Sequence, residues 1–280
     1  MKTSNKLLIA FAATLIILPV LVMGVFSKVY YTDAKNWVDL KKQTDSFDAI
    51  SENMEAIPLN KFNAINIPDG KETSFYIRLI KDHKSGVKIE KGDKDAVQLS
   101  VDAQGQLQIV LEDKKDRRSY INIYVYAPNT NTINIINSGN VEVNSKTDSL
   151  AISLKKTKYL SFGSTSAFNK LSITADDGSN INIDKDIAKS LNLKLYNTSF
   201  TSSWASYQDL NIITAGKSEI SIQGDIEQRK KVFQIQNLNL HTTDSATVNF
   251  DGIKIQKATG SLSDQTTIQM PIINLKQILK

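Results

Sequence analysis

The chain has 280 residues, a formal net charge of +5 and no cysteine. Without cysteine there is no disulfide, no thiolate metal site, no cysteine nucleophile and no lipid anchor through sulfur. The basic excess is mild and spread out, with no basic stripe carrying interleaved aromatics, so nucleic acid is not an expected partner.

The first six residues are basic through Lys2 and Lys6, and the run from Leu7 to Phe26 is apolar without a charge. As a helix rising about 1.5 Å per residue, that run reaches roughly 30 Å, the thickness of a hydrocarbon core. Residues 1–30 are therefore expected to be a cytoplasmic stub and a membrane anchor, with Pro19 tolerated inside the span. Tyr30 and Tyr31 sit where interfacial aromatics belong, and the flanking charge puts the N-terminus in the cytoplasm. The alternative is a signal peptide cleaved near Val22-Met23-Gly24, although its apolar part would ordinarily hold about 7–15 residues. Both readings export the remainder to the cell envelope or beyond.

Residues 31–58 change period. Trp37, Leu40, Thr44, Phe47, Ser51 and Met54 alternate spacings of three and four, one face of a helix. Asp33 caps its start and Pro58 stops it. The expectation is an amphipathic stalk or a cap over the first coil of the next domain; a coiled-coil dimer seam is the sharper reading, and only some of its seam positions are strongly apolar.

From Phe62 the period becomes two, the signature of strands. Ile65 and Ile67 are followed by Phe75, Ile77 and Leu79, and later by Leu107, Ile109 and Leu111. Asp69-Gly70, Ser85-Gly86 and Gln104-Gly105 mark turns between the runs. Ile121, Ile123 and Val125 face one way, Tyr124 and Tyr126 the other, and Pro128 ends that strand.

Between 150 and 250 one unit recurs: apolar, small polar, apolar. It forms two interleaved tracks. The first runs Leu150, Leu171, Leu191, Leu210, Leu238; the second runs Leu160, Ile181, a gap near Phe200, Ile220, Val248, Ile268. Each step is roughly twenty residues, within the range of solenoid repeats, and each unit is too short to bury its own apolar side. One coil of a parallel β-helix per step is the expected architecture over 59–271. The step lengthens between Leu210 and Leu238 and again between Ile220 and Val248, which a single insertion after Ile222 explains. The rival is a sandwich of antiparallel hairpins, for which Asp177-Gly178 and Asp251-Gly252 are suitable turns. The apolar tail 272–280 is expected to cover the last coil and its unpaired edge.

Several segments together resemble a known family. They are Phe62-x-x-Ile65-x-Ile67, Gly105-x-Leu107-x-Ile109, Ile121-x-Ile123-Tyr124-Val125-Tyr126-Ala127-Pro128 and Ser138-Gly139-Asn140-Val141. The chain from about Phe62 to Met270 resembles the head GIN domain of auto-transporter adhesins, a family common in Bacteroidetes and without an established activity. The resemblance implies a right-handed parallel β-helix in the cell envelope. It supplies no catalytic residues.

The outward middle residues of the repeat bear on chemistry. The first track presents Ala151, Ser172, Asn192, Asn211 and Asn239; the second presents Ser161, Asn182, Ser221, Asn249 and Gln269. Glycoside cleavage needs two carboxylates roughly 5–9.5 Å apart, and there is no carboxylate among these. Stacked amides and hydroxyls suit hydrogen-bonded ladders instead. Asp176-Asp177 and Asp184 with Asp186 offer a calcium site or an acid pair, but they lie at turns, where Asp is favoured for its own reasons. His83 and His241 are the only histidines and are far apart. No cofactor or metal motif is read. Two interaction candidates remain: an aromatic shelf for a sugar at Phe200, Trp204 and Tyr207, and a basic bulge at Arg229, Lys230 and Lys231 for an anionic glycan or lipid. Against them stand packing over an irregular coil and a solvated loop.

These readings converge on a membrane-anchored envelope protein whose non-catalytic β-helix is an adhesion or interaction surface for an envelope glycan or protein. The alternatives are a polysaccharide-active β-helix enzyme and a regulatory subunit of an envelope transport or stress system.

Overall fold

Strict alternation of apolar and polar residues can be satisfied only by strands that share one buried side, and in the repeat region they do so by stacking in parallel. The computed structural model describes residues 3–30, 46–113, 119–224 and 232–279. It divides into two compact units, Met1–Asp45 and Ser46–Lys280.

The first unit holds helix α1 (Thr3–Tyr30) with Pro19 inside it. Asn5–Phe26 is long and apolar enough to cross a membrane and is not buried against protein. The expected amphipathic helix falls partly on residues 31–45, outside the described residues. Its second half is not helical. Residues 46–49 form a turn, and Met54–Pro58 is strand β1, paired antiparallel with β4 (Gly86–Glu90). The apolar stripe, with Ile57 beside it, belongs there to two different surfaces. Phe47 packs edge-on against Tyr126, 5.5 Å between centroids, whereas Ile57 faces Val87 across the ladder.

The second unit is mostly β, a curled and largely parallel sheet wound in stacked coils. Its repeat consists of β9 (Ala167–Asp176), β11 (Ala188–Tyr196), β13 (Tyr207–Ala215), β15 (Gln234–Thr242) and β17 (Lys254–Ser261), alternating with β10 (Asn180–Ile183), β12 (Ser199–Ser203), β14 (Glu219–Gln223), β16 (Thr247–Asp251) and β18 (Thr267–Gln269). Both expected tracks are in register. Leu171 faces Leu150 and Leu191, and Leu210 faces Leu191 and Leu238. Ile181 faces Leu160 and Phe200, Ile220 faces Phe200 and Val248, and Val248 faces Ile268. The gap in the second track is filled by Phe200. The shared insertion is real in register, since Leu210–Leu238 and Ile220–Val248 remain opposite one another. Antiparallel hairpins do not build this region.

One corner repeats coil after coil. Asn137, Lys156, Asp177, Asn197, Gly216 and Asp244 all have positive φ, between 50 and 65°. Asn, Asp and Gly tolerate that region best, which is why the dipeptides that read as hairpin turns serve here as corners between parallel strands. Just past the corner runs a buried hydroxyl column: Ser138, Thr157, Ser179, Thr198 and Ser218. These groups are satisfied locally. Ser138 and Thr157 share a hydrogen bond of 3.0 Å, and Ser218 Oγ donates to the Ala215 carbonyl at 2.8 Å.

The N-terminal end departs from a simple stack. β2 (Ala64–Ile67) lies between β6 (Gln106–Leu111) and the start of β8 (Thr132–Phe162). β3 (Ser74–Lys81) lies between β7 (Tyr120–Ala127) and the middle of β8. The first coil in sequence is thus the second in space. β4 adds antiparallel to β7, and β5 (Val97–Val101) adds antiparallel to β6. These reversed strands finish the end of the sheet, with β1 outermost on one side.

A buried clasp fastens the 46–49 turn to β4. Lys88 is 3% exposed, and its ammonium donates to the Ser46 and Ala49 carbonyls at 2.8 and 2.7 Å while lying 5.1 Å from the Tyr126 ring centroid. Burial lowers the Lys88 pKa, and Asp48 and Asp82 oppose the shift. Gly86 leaves the space that Phe47 fills, since a Cβ there would come within 2.4 Å of its ring. Asp82 completes the clasp by accepting from the Phe47 N–H at 2.8 Å. Burial pushes the Asp82 carboxyl up, but the N–H groups of Lys84 and Phe47 outweigh it and hold the group below 3.8. A depressed carboxylate contributes stability above its unfolded pKa and loses it as pH falls through the folded value. The stability difference between the native chain and Asp82→Asn is therefore expected to be full above pH 3.8 and to shrink below it, as thermal melts across an acid series would read.

At the other end, α2 (Ile272–Ile278) packs on β17. Asn274 Nδ2 donates to the Ile255 carbonyl at 3.0 Å, and Gln277 Oε1 accepts from the Ala258 N–H at 2.7 Å. Ile278 joins the core.

Candidate functional site

The outward row of the first track is a ladder of small polar side chains. Asn211 Nδ2 donates to Asn192 Oδ1 at 2.7 Å, Asn192 Nδ2 donates to Ser172 Oγ at 3.4 Å, and Thr259 Oγ1 donates to Asn239 Oδ1 at 3.4 Å. The neighbouring row is bonded too. Ser190 Oγ and Asn237 Nδ2 both donate to the Asp209 carboxylate at 3.0 Å. Parallel register makes this possible, because like residues come to lie one above another at each coil. Beside the ladder, where these strands begin, a groove of about 620 Å³ crosses the coils, lined by Lys146, Asp148, Asp186, Lys189, Gln208 and Gln236 among others. Both signs of charge line it. Two of its carboxylates are already engaged: Asp148 accepts from Asn169 Nδ2, and Asp186 accepts from the Ser206 N–H at 2.5 Å.

The expected aromatic shelf is not assembled. Phe200 is 1% exposed and Tyr207 2%, both in the core, while Trp204 is 59% exposed at a positive-φ corner. The reason is parity: Phe200 and Tyr207 fall on inward positions of their strands, opposite Ile181 and Ile235. The Tyr207 hydroxyl is held by Ser202 Oγ at 2.7 Å, and burial pushes its pKa far above that of a free phenol. Tyr207→Phe would leave the buried Ser202 hydroxyl without that partner, a cost of about 1–3 kcal/mol. Chemical denaturation of the two chains should differ by that amount, and no phenolate from this residue should develop below the unfolding pH of the native chain. Arg229, Lys230 and Lys231 lie outside the described residues.

Three of the four acidic candidates lie in turns, and Asp176 ends β9, paired with Lys155 and Tyr196. Asp177 is a corner, Asp184 accepts from Asn182 Nδ2 at 2.8 Å, and Asp186 holds a backbone N–H. His83 contacts Asp82 at 2.9 Å, and His241 contacts Ser261 Oγ at 2.9 Å. Among the described residues no group of three or more His, Asp or Glu side chains is placed to hold a metal ion.

The sequence reading missed a second group of aromatics, on the outer face of β3 and β7. Tyr76 and Tyr124 meet edge to face at 6.1 Å, Arg78 lies 5.7 Å from the Tyr124 centroid, and Tyr120 is 43% exposed. The alternation of Tyr124 and Tyr126 against Val125 puts both on the outer side of one strand, where Phe47 and Lys88 cover Tyr126 and Tyr124 stays partly exposed. Only the parallel pairing of β3 with β7 brings Tyr76 beside it.

The second unit is thus a wound parallel sheet with a polar ladder on its outer wall. Residues 61–224 match the family described as "Putative auto-transporter adhesin, head GIN domain", and the chain belongs to that family. Solved structures similar to it include a putative adhesin from Bacteroides fragilis, with 13% identity, 78% of this chain and 93% of that chain covered, and a TM-score of 0.42. Another is a putative adhesin from Parabacteroides merdae, with 14% identity, 77% and 91% covered, and a TM-score of 0.38. A third is a putative lipid binding protein from Parabacteroides distasonis, with 17% identity, 78% and 94% covered, and a TM-score of 0.37. Comparison with curated proteins gives no match.

Proposed function

We propose that this chain is a single-pass envelope protein, held by α1 with its N-terminus in the cytoplasm, whose exported domain is a right-handed parallel β-helix acting as an adhesion or interaction surface without turnover. Residues 31–45 connect anchor and domain, and α2 closes the far end of the coil. The observation that carries the reading is the ladder Ser172–Asn192–Asn211: side chains locked to one another across coils form a rigid, pre-ordered face. Such a face loses little side-chain entropy on binding. The adhesin description of the family agrees with it, and the apolar length of α1 agrees with the anchor.

The test uses the full chain in detergent as bait for envelope extract, beside Asn192→Lys/Asn211→Lys. The expected result is a defined partner captured by the native chain and lost, at least tenfold, by the variant, which still melts cooperatively well above the assay temperature. Equal capture by both chains overturns the surface assignment. Separately, protease added to spheroplasts should digest the domain and leave α1; a chain released from the membrane fraction overturns the anchor.

A further inference from the structure

The tyrosine cluster of β3 and β7 borders a cleft of about 600 Å³ that the ladder does not reach. Its walls are residues 51–54 on one side and Glu90, Lys91 and Gly92 on the other, and it opens on Asn122 and Tyr124. The walls are fixed. The Lys91 N–H donates to the Asn53 carbonyl at 3.0 Å, and Lys91 Nζ donates to the Glu52 carbonyl at 2.7 Å. Asn122 Nδ2 donates to Glu90 Oε1 at 2.5 Å, which orients both groups.

The composition of this place selects a ligand. Tyr124 carries Arg78 over one face and also lines the cleft, with the Tyr76 ring against it. An amphipathic ring with a polar tip suits a partner that is apolar on one side and wet on the other. Carboxylate and amide groups beside it suit a partner rich in hydroxyls, since a carboxylate has about four acceptor sites and an amide both donates and accepts. Glu52 and Glu90 in its lining disfavour an anion, and Lys91 disfavours a cation. β7 is hydrogen-bonded on both sides, to β3 and β4, so no free strand edge is available there for an added peptide strand. The volume falls within the roughly 300–1,000 Å³ of small-molecule sites.

We propose that this cleft binds a neutral oligosaccharide, with a pyranose stacked on Tyr124 and bordered by Tyr76, and with Asn122 and Glu90 reading its hydroxyls. The site lies on a different wall from the Asn192–Asn211 ladder and stands or falls separately from it.

Chitotriose and cellotriose titrated into the full chain in detergent, followed by saturation-transfer NMR and calorimetry, test it; the two sugars separate an N-acetyl requirement from hydroxyl recognition alone. At least one should bind. Tyr124→Ala should weaken it tenfold or more, Tyr124→Phe less than threefold, and Asn122→Ala, a small change that leaves the ring contacts in place, at least fivefold. Asn192→Lys/Asn211→Lys should bind it as the native chain does. Absence of binding by both sugars at millimolar concentration overturns the proposal. So does binding that folded Tyr124→Ala and Asn122→Ala chains retain in full.

Discussion

Phe200→Ala is expected to destabilise the β domain by about 3–5 kcal/mol, the usual range for truncating a buried phenylalanine. The side chain is 1% exposed and stands between Ile181 and Ile220 in the second track. Its removal leaves a cavity in the middle of a stack, where neighbouring coils cannot close in without breaking the register that fixes them above and below. In a wound array each coil is stabilised chiefly by its neighbours, so a central lesion weakens the coupling of both halves. At about 2–4 °C per kcal/mol for a domain of this size, the melting temperature should fall by roughly 6–20 °C. Trp204→Ala, at a residue 59% exposed, should stay within about 0.5 kcal/mol, as surface changes do. Circular dichroism melts of the two variants give the comparison. A Phe200→Ala chain that melts with the native one would place this ring outside the core.

Gly260→Ala is the second large effect, expected at about 3 kcal/mol from backbone strain and collision together. Gly260 lies at φ +148°, and a Cβ there would come within 1.8 Å of the Leu240 carbonyl oxygen. It faces Leu240 in the last full pairing of the first series, so the collision is with the backbone that carries the ladder. The damage should concentrate at the C-terminal end. β17 would shift away from β15, and α2, which bonds the backbone of β17 through Asn274 and Gln277, would lose its seat. Limited trypsin digestion should then cut at Lys254 or Lys257 well before the rest of the domain, and the melt should gain an early phase. A variant cut no faster than the native chain, with an unchanged melt, would show that the strand has room for a side chain.

Much of the fold was legible because alternation and spacing are local properties with one structural solution. An apolar–polar–apolar unit must point alternate residues inward, and a fixed step of roughly twenty residues must place like units over like. Hence Leu171, Leu191 and Leu210, or Ile181 and Ile220, could be aligned before any coordinates, and the delay shared by Leu238 and Val248 marked one insertion. The amide row followed from the same register. Apolar length alone likewise marked the run from Leu7 to Phe26, which falls within the helical span Asn5–Phe26.

What the sequence left open depends on which strand lies beside which. Alternation is identical in parallel and antiparallel strands, so nothing local placed β2 and β3 between later strands or turned β4 and β5 around to close the end. Met54 and Phe47 continued a helical stripe on paper, yet an available edge at β4 and a pocket at Gly86 captured them separately. Phe200, Trp204 and Tyr207 are neighbours in the chain, but the two-residue pleat and one corner sent two of the rings inward and one out. Tyr76 and Tyr124, far apart in sequence, were brought together by hydrogen bonding between β3 and β7. The chain by itself determined its periods and therefore its buried side. Only the tertiary structure decided its neighbours, because pairing partners are chosen by the whole set of edges and surfaces competing for burial.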